Sequence, residues 1–181
     1  MNLWLRLIWL FFTSRFRPRL APLEPSRISM IVLPNDLDTN LHMNNGRYLT
    51  LMDLGRADIF LRSGLFVATR GAGWTPVLSA ASIRYRRELR LWRRFTIETR
   101  IVYWEATAFV MEHRILITTK EGSEAVAAQA LMRGGLYDRA AKAFVPVDDL
   151  FTRMKVEAHS PPLTPDVRAF LEAEEAMRRS L

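Results

Sequence analysis

A dense group of polar side chains occupies one short stretch of the chain, residues 36–48, which reads DLDTNLHMNNGRY. It contains two carboxylates, three amides and one imidazole. Asp38, Asn40 and His42 are spaced by two residues, and in an extended or loop segment this spacing can point all three side chains to one side. A carboxylate beside an imidazole can activate water as a general base. The group therefore predicts hydrolysis of an activated carbonyl compound.

The residues after His42 predict the N-terminus of a helix directly beside these groups. Asn is a preferred capping residue, so Asn44 or Asn45 is expected to cap the helix. Unpaired backbone N–H groups at Asn44, Asn45 and Gly46, with the positive end of the helix dipole, would form a cradle for an oxyanion. The alternative is an Asx-rich loop that only turns the chain and caps the helix.

The elements that must position these groups follow from apolar periodicity. Residues 28–33 (ISMIVL) predict a strand, and a helical pattern then continues to a terminating Gly64. Gly55 lies inside this helix at a cost of about 1 kcal/mol relative to Ala, so we expect another group to approach the backbone closely there. Apolar residues then alternate with a period of two, which predicts antiparallel strands, in residues 95–101, 109–117 and 126–132. The order strand, long helix, strands indicates an α+β fold.

The polar stretch resembles the signature of a known family. Its pattern D-L-D-x-N-x-H-M-N-N-x-x-Y is similar to that of hotdog-fold acyl thioesterases, in the branch of acyl-ACP thioesterases and 4-hydroxybenzoyl-CoA thioesterase-like proteins. The resemblance implies catalytic roles for Asp38, Asn40 and His42. A downstream Y-R-R-E-C segment of that family is similar to residues 85–89, YRREL. It implies that Glu88 is a fourth catalytic residue, with Leu89 in place of the Cys.

The resemblance covers roughly residues 28–150 and implies a hotdog fold, in which a five- to six-stranded antiparallel sheet wraps a long central helix. It implies hydrolysis of an acyl-CoA or acyl-ACP without a cofactor, in a homodimer or tetramer with active sites at the subunit interface. Either His42 or Glu88 would serve as the general base, or a carboxylate would attack directly. Two alternatives stay open: a non-catalytic acyl-thioester binding or scaffold protein, and a hotdog hydratase or dehydratase.

Positive charge is concentrated next to the second motif. The chain carries a net charge of +7, and residues 84–94 contain six arginines and one glutamate. We expect this segment to meet the phosphates of the thiol carrier, and a solvated strand edge is the alternative. No nucleic-acid-binding motif is evident, so nucleic acid is not the predicted partner. The expected substrate contacts are Tyr48, Arg84, Arg86 and Arg87.

The N-terminal residues 3–12 (LWLRLIWLFF) are too short to span a bilayer, and Arg6 interrupts them. Aromatic and leucine side chains followed by Arg15, Arg17 and Arg19 are typical of an interfacial membrane contact. A helix packed on the domain or on a partner subunit is the alternative. The expected location is therefore the cytoplasm, with membrane association as the open question.

The remaining predictions concern metals and domain boundaries. The chain has no cysteine, which excludes disulfides and thiolate metal sites, and it has three histidines. We predict no metal site, because a grouping of Asp36, Asp38 and His42 has no further ligand cluster to complete it. The expected segments are an apolar and basic N-terminus (1–25), a hotdog domain (26–155) and a Pro-rich linker with a C-terminal helix (156–181).

Overall fold

The computed structural model describes residues 2–21 and 23–180. It contains five α-helices, six strands and a short 3₁₀ helix at Pro34–Asp36 within those ranges. The helices are α1 (Asn2–Ser14), α2 (Asn45–Arg62), α3 (Leu65–Ala72), α4 (Val147–Met154) and α5 (Pro165–Arg179). The strands are β1 (Ser26–Ile31), β2 (Trp74–Tyr85), β3 (Arg94–Glu105), β4 (Ala108–Thr118), β5 (Glu124–Asp138) and β6 (Ala143–Val145).

The strands form one sheet in the order β1-β3-β4-β5-β2, with β6 paired to β5. Strand β1 runs antiparallel to β3, from Ser26 opposite Thr99 to Ile31 opposite Arg94. The predicted α+β architecture with a five- to six-stranded antiparallel sheet is confirmed. The first strand begins two residues earlier than predicted and ends at Ile31, because the chain turns into the 3₁₀ helix at Pro34.

The chain divides into two compact units. The first consists of residues up to 66 together with 83–100 and 113–129, and it contains α1, β1 and α2. A Cβ atom at Gly55 of α2 would overlap Thr99 Oγ1 and would lie 3.2 Å from Ile97 Cγ2, both on β3. The close approach predicted at Gly55 is therefore confirmed. Helix α2 ends as predicted, since Gly64 adopts a φ of +85° just after the C-cap.

The second unit consists of residues 67–82, 101–112 and the chain from 130 onward. Val167 and Phe170 of α5 are buried against Val110, so the C-terminal helix packs against β4. Helix α5 begins at Pro165 after Thr164, whose side chain makes no capping hydrogen bond. Helices α3 and α4 were not predicted, because eight residues are too few to establish a periodic pattern. None of the described helices is long and apolar enough to cross a membrane.

Candidate active site

The loop between the 3₁₀ helix and α2 folds back on itself as a tight turn. Asp38 N donates to His42 O at 3.0 Å, and Leu41 N donates to Asp38 O at 3.1 Å. Leu41 has a φ of +60°, a left-handed conformation that is unfavourable for a residue with a branched side chain. The turn brings Asp38 Oδ1 within 3.5 Å of His42 Nδ1, and the two side chains remain 21% and 31% exposed.

Asn40 lies at the exposed tip of this turn. Its backbone N donates to Asp38 Oδ1 at 2.9 Å, which orients that carboxylate. Its side chain makes no hydrogen bond to any residue that the structure describes. The turn pairs Asp38 with His42. The Asn40 amide makes no hydrogen bond to either of them, and its catalytic role stays a prediction.

Helix α2 begins beside this pair, and Asn44 is its N-cap. Asn44 Oδ1 accepts a hydrogen bond from Gly46 N at 2.9 Å, and Asn44 N donates to Asp36 O at 2.9 Å. Two of the three predicted oxyanion donors are therefore already engaged. The N–H of Asn45 has no partner in the described ranges, so it is the donor of the three that a ligand can use.

Two tyrosines and Glu88 approach the same region. Tyr48 is only 2% exposed, and its ring meets that of Tyr85 edge-on with centroids 5.1 Å apart. Burial raises the pKa of Tyr48 to about 12, and the negative charges of Glu88 and Asp38 contribute to the shift. Tyr85 donates its hydroxyl to Asn45 O at 2.9 Å. Tyr48 thus lies beneath the site, and a direct contact between this residue and a substrate stays a prediction.

The segment around Glu88 pairs through its backbone with the loop that carries Asp38 and His42. Met43 N donates to Leu89 O at 2.8 Å, and His42 forms an isolated antiparallel bridge with Arg90. Glu88 Oε1 accepts a hydrogen bond from Arg90 Nε at 2.7 Å, so its carboxylate faces an arginine rather than the imidazole. Leu89 is fully buried, which explains an apolar side chain at that position.

Three arginines next to this segment present positive charge to the surface. Arg84, Arg86 and Arg87 are exposed, and none has an ion-pair partner in the part of the chain that the structure covers. The backbone N–H groups of Arg86 and Arg87 both donate to Ala127 O, at 2.8 and 3.0 Å. This shared acceptor anchors the segment while its side chains stay free to meet an anionic ligand.

The sequence pattern predicted no catalytic role for Asp36. Its carboxylate nevertheless accepts four hydrogen bonds next to the site. It is fully buried, and Oδ1 accepts from Arg47 Nε at 3.2 Å and Nη2 at 2.8 Å. Oδ2 accepts from Arg6 Nη2 at 2.7 Å and from Leu33 N at 2.9 Å. No local pattern signals this cluster, because Arg6 lies 30 residues from Asp36 in the sequence.

Curated proteins are similar to part of this chain in sequence. Protein THEM6 of Xenopus laevis is 42% identical over 117 residues, which are 60% of this chain and 56% of that protein. Protein THEM6 of Danio rerio is 45% identical over 85 residues, which are 47% of this chain and 42% of that protein. The chain thus spans about half the length of these curated relatives.

Solved structures share the fold. The probable thioesterase YbaW of Escherichia coli matches with a TM-score of 0.64 at 23% identity, over 71% of this chain and 96% of that one. The 4-hydroxybenzoyl CoA thioesterase of Pseudomonas sp. strain CBS-3 matches with a TM-score of 0.61 at 17% identity, over 71% and 98%. The predicted hotdog fold is confirmed. A family model described as the Thioesterase-like superfamily matches residues 32–171, which include the Asp38–His42 loop and all of α2. The chain therefore belongs to the thioesterase-like superfamily.

Proposed function

We propose that the protein hydrolyses an acyl thioester, carried by CoA or by an acyl carrier protein, to a free acid and a thiol. The observation that carries this proposal is the partly exposed Asp38–His42 pair, 3.5 Å apart, at the N-terminus of α2. Family membership supports a thioesterase-like function. We propose in addition the class of substrate and the roles of the individual residues.

In the proposed reaction, Asp38 faces Nδ1 of His42, so Nε2 takes a proton from water. The water oxygen attacks the thioester carbonyl carbon, and the Asn45 N–H and the positive end of α2 stabilise the resulting oxyanion. The tetrahedral intermediate then breaks its C–S bond, and the imidazolium returns the proton to the leaving thiolate. In the alternative route, the Asp38 carboxylate attacks the carbonyl carbon, the C–S bond breaks and the thiolate leaves, which forms a mixed anhydride. Water then cleaves the anhydride to the free acid and regenerates the Asp38 carboxylate, and the released proton goes to the thiolate.

The exposed arginines would bind the carrier. Arg84, Arg86 and Arg87 form a positive surface within a few residues of Glu88, whose segment is paired to the catalytic loop. CoA and acyl carrier proteins both present a phosphopantetheine arm, and CoA adds further phosphates. Neutralising two of these arginines should therefore raise KM for an acyl-CoA more than for the same acyl group on a carrier protein.

The test is steady-state hydrolysis of a panel of acyl-CoAs and acyl carrier proteins. His42→Ala and Asp38→Asn should lower kcat by about 10²–10⁴-fold, the usual contribution of a general base. The matched controls are the exposed His159→Ala and Asp53→Asn, which should retain wild-type kcat. The proposal fails if the wild-type protein cleaves none of the panel, or if the two site variants match the controls.

A non-catalytic acyl-thioester binding protein is the second candidate. It is favoured by the ion pair between Glu88 and Arg90 and by the engagement of Gly46 N with its cap, since both groups were expected to act in catalysis. Calorimetric titration with a non-hydrolysable acyl-CoA thioether separates the two candidates. Tight binding without turnover of the matching thioester would establish this second function.

We further propose that two copies associate, as a dimer or as part of a tetramer, through the β2 edge. Strand β2 lies at the end of the strand order and exposes Val77 and Leu78 to 39% and 48%. An exposed apolar edge strand is a template for pairing with another chain.

The third part of the proposal is a peripheral contact between α1 and a membrane surface on the cytoplasmic side. The exposed residues of α1 are aromatic or aliphatic, and Trp4 and Trp9 are 69% and 68% exposed. Arg15 and Arg19 follow on the exposed side of the chain, where they can meet anionic head groups.

A further inference from the structure

Helix α1 is joined to the candidate site through the buried carboxylate of Asp36. Arg6, in the middle of α1, donates from Nη2 to Asp36 Oδ2 at 2.7 Å and to Ile31 O at 3.0 Å. Arg47, in the first turn of α2, donates from two nitrogens to the other oxygen of Asp36. The carboxylate is fully buried between these two guanidinium groups, so little water screens the contact.

Asp36 also holds both ends of the catalytic loop. Its side chain accepts from Leu33 N at the start of the 3₁₀ helix, and its carbonyl accepts from Asn44 N at the cap of α2. The turn that carries Asp38 and His42 begins two residues after Asp36 and ends at this cap. A shift of Asp36 therefore moves both the Asp38–His42 pair and the first free N–H of α2.

We propose that Asp36 is a positioning residue for the Asp38–His42 pair, and that Arg6 makes the docked helix α1 a structural part of the active site. Its catalytic consequence rests on the proposed function, whereas the mechanical tie between α1 and the loop does not. Arg6 belongs to the N-terminal helix and lies outside the motif, and it thereby sets the geometry of the reaction.

The chain offers a matched control for this tie. Arg17 donates to Asp58 Oδ1 at 2.7 Å and to Arg27 O at 2.7 Å, so it anchors the segment after α1 through another buried carboxylate. Asp58 is additionally bonded by Ser26 and Arg62, and it is 20 residues away from Asp38. Loss of Arg17 weakens docking of the N-terminal segment without touching the Asp36 cluster.

The experiment compares Arg6→Ala, Arg6→Lys and Arg17→Ala in the full chain, with backbone amide hydrogen exchange and with hydrolysis of a soluble short-chain acyl-CoA. We expect Arg6→Ala to raise exchange at Asp38, Leu41 and Asn44 at least tenfold, and to lower kcat at least tenfold with KM changed less than threefold. Arg6→Lys should restore part of both values. Arg17→Ala should leave loop exchange and kcat within twofold of wild type.

Two results would overturn the proposal. One is loop exchange in Arg6→Ala that stays within twofold of wild type, whatever the activity. The other is an equal rise in exchange and an equal fall in kcat for Arg6→Ala and Arg17→Ala, which would mean that general loosening is responsible. If the wild-type protein hydrolyses nothing while Arg6→Ala selectively loosens the loop, the proposed function fails and the tie between α1 and the loop stands.

Discussion

At the scale of single residues, the buried polar groups of the first unit differ in how completely they are paired. Asp36 and Asp58 are both fully buried and both held by arginines. His113 is the contrasting case, because its Nδ1 lies 2.9 Å from Thr99 Oγ1 while its buried Nε2 has no hydrogen-bond partner in the described structure. Desolvation, with a smaller contribution from Arg56, lowers the pKa of His113 to about 3, so the imidazole is neutral in the folded protein.

This low pKa predicts a loss of stability in acid. Between about pH 6.5 and pH 3 the unfolded chain binds a proton at His113 that the folded protein excludes. The free energy of unfolding therefore falls as the pH decreases through this range, by up to about 1.4 kcal/mol per pH unit from this group. His113→Gln should remove that part of the slope in urea unfolding measured from pH 7 to pH 4.

The control for this measurement is His159→Gln, which changes an exposed histidine. It should keep the wild-type slope, because the substitution leaves the buried His113 unchanged. Equal slopes for all three proteins would contradict the assignment of His113 as a buried neutral group.

Gly55 carries the second prediction at this scale. Ala would gain about 1 kcal/mol of helix propensity, but its Cβ would overlap Thr99 Oγ1 on a packed strand. Overpacking in a core costs about 1–3 kcal/mol, so we expect Gly55→Ala to lower the free energy of unfolding by up to about 2 kcal/mol net. Urea titration followed by circular dichroism measures this change.

Gly71 of α3 serves as the comparison. A Cβ there would lie 3.3 Å from Arg153 Nη2, the end of a flexible side chain that can move aside. Gly71→Ala should therefore be neutral or stabilising by up to about 1 kcal/mol. A loss of stability as large as that of Gly55→Ala would show that helix context, rather than contact with β3, limits Gly55.

At the scale of elements, α1 has a docked face and an exposed face. Arg6 and Leu10 face the first unit, where Leu10 is buried and Arg6 reaches Asp36. The other side leaves a row of large apolar side chains exposed, which define the exposed face of α1: Trp4, Leu5, Ile8, Trp9, Phe12 and the following Phe16. A single helix thus contacts the candidate site on one side, and its other side is the surface that we propose binds a membrane.

This division predicts that membrane binding can be removed without disturbing the site. Trp4→Ser combined with Trp9→Ser should lower co-sedimentation with anionic vesicles of mixed phosphatidylserine and phosphatidylcholine at least fivefold, because aromatic side chains anchor at the head-group boundary. Hydrolysis of a soluble acyl-CoA should stay within twofold of wild type. Met177→Ser, on the exposed side of α5, is the control and should bind vesicles as wild type does. Equal co-sedimentation of all three proteins would exclude α1 as the binding surface.

At the scale of the whole molecule, the strand order determines where a second copy can attach. Strands β3, β4 and β5 have neighbours on both sides in the sheet, whereas β1 and β2 end the order, and of these two it is β2 that exposes large apolar side chains. The exposed Val77 and Leu78 lie on this open edge. Pairing of two such edges would extend the sheet across the dimer and place the apolar side chains of the two strands beside one another.

Leu78→Lys should therefore convert the assembly to monomers, since a lysine on an edge strand opposes edge-to-edge pairing. Analytical ultracentrifugation at several protein concentrations measures the shift. Met177→Lys introduces the same charge on α5 and should leave the association state unchanged. A wild-type protein that sediments as a monomer at all concentrations would contradict the proposed assembly.

The strands, α2 and the polar loop were predictable from the sequence, because each depends on spacing between near neighbours. Alternation predicted the strands, Gly64 marked the end of the helix, and Gly55 indicated the contact with β3. The motif located Asp38 and His42 correctly beside the helix N-terminus, although it could not show that the loop is a turn. In that turn the backbone N–H of Asn40 bonds the Asp38 carboxylate, a contact that the motif alone does not indicate.

The groups that support the site and the surfaces that stay exposed could be identified only from the folded structure. The link from Arg6 to Asp36 joins residues 30 positions apart, and the edge-on contact of Tyr48 with Tyr85 joins two separate elements. The N-terminal helix is apolar nearly all round in sequence, and it acquires a docked and an exposed face only when the first unit covers one side. Local sequence patterns predict the secondary structure of a segment. Its burial and its ion pairs depend on residues that are distant in the sequence and that contact the segment only in the folded chain.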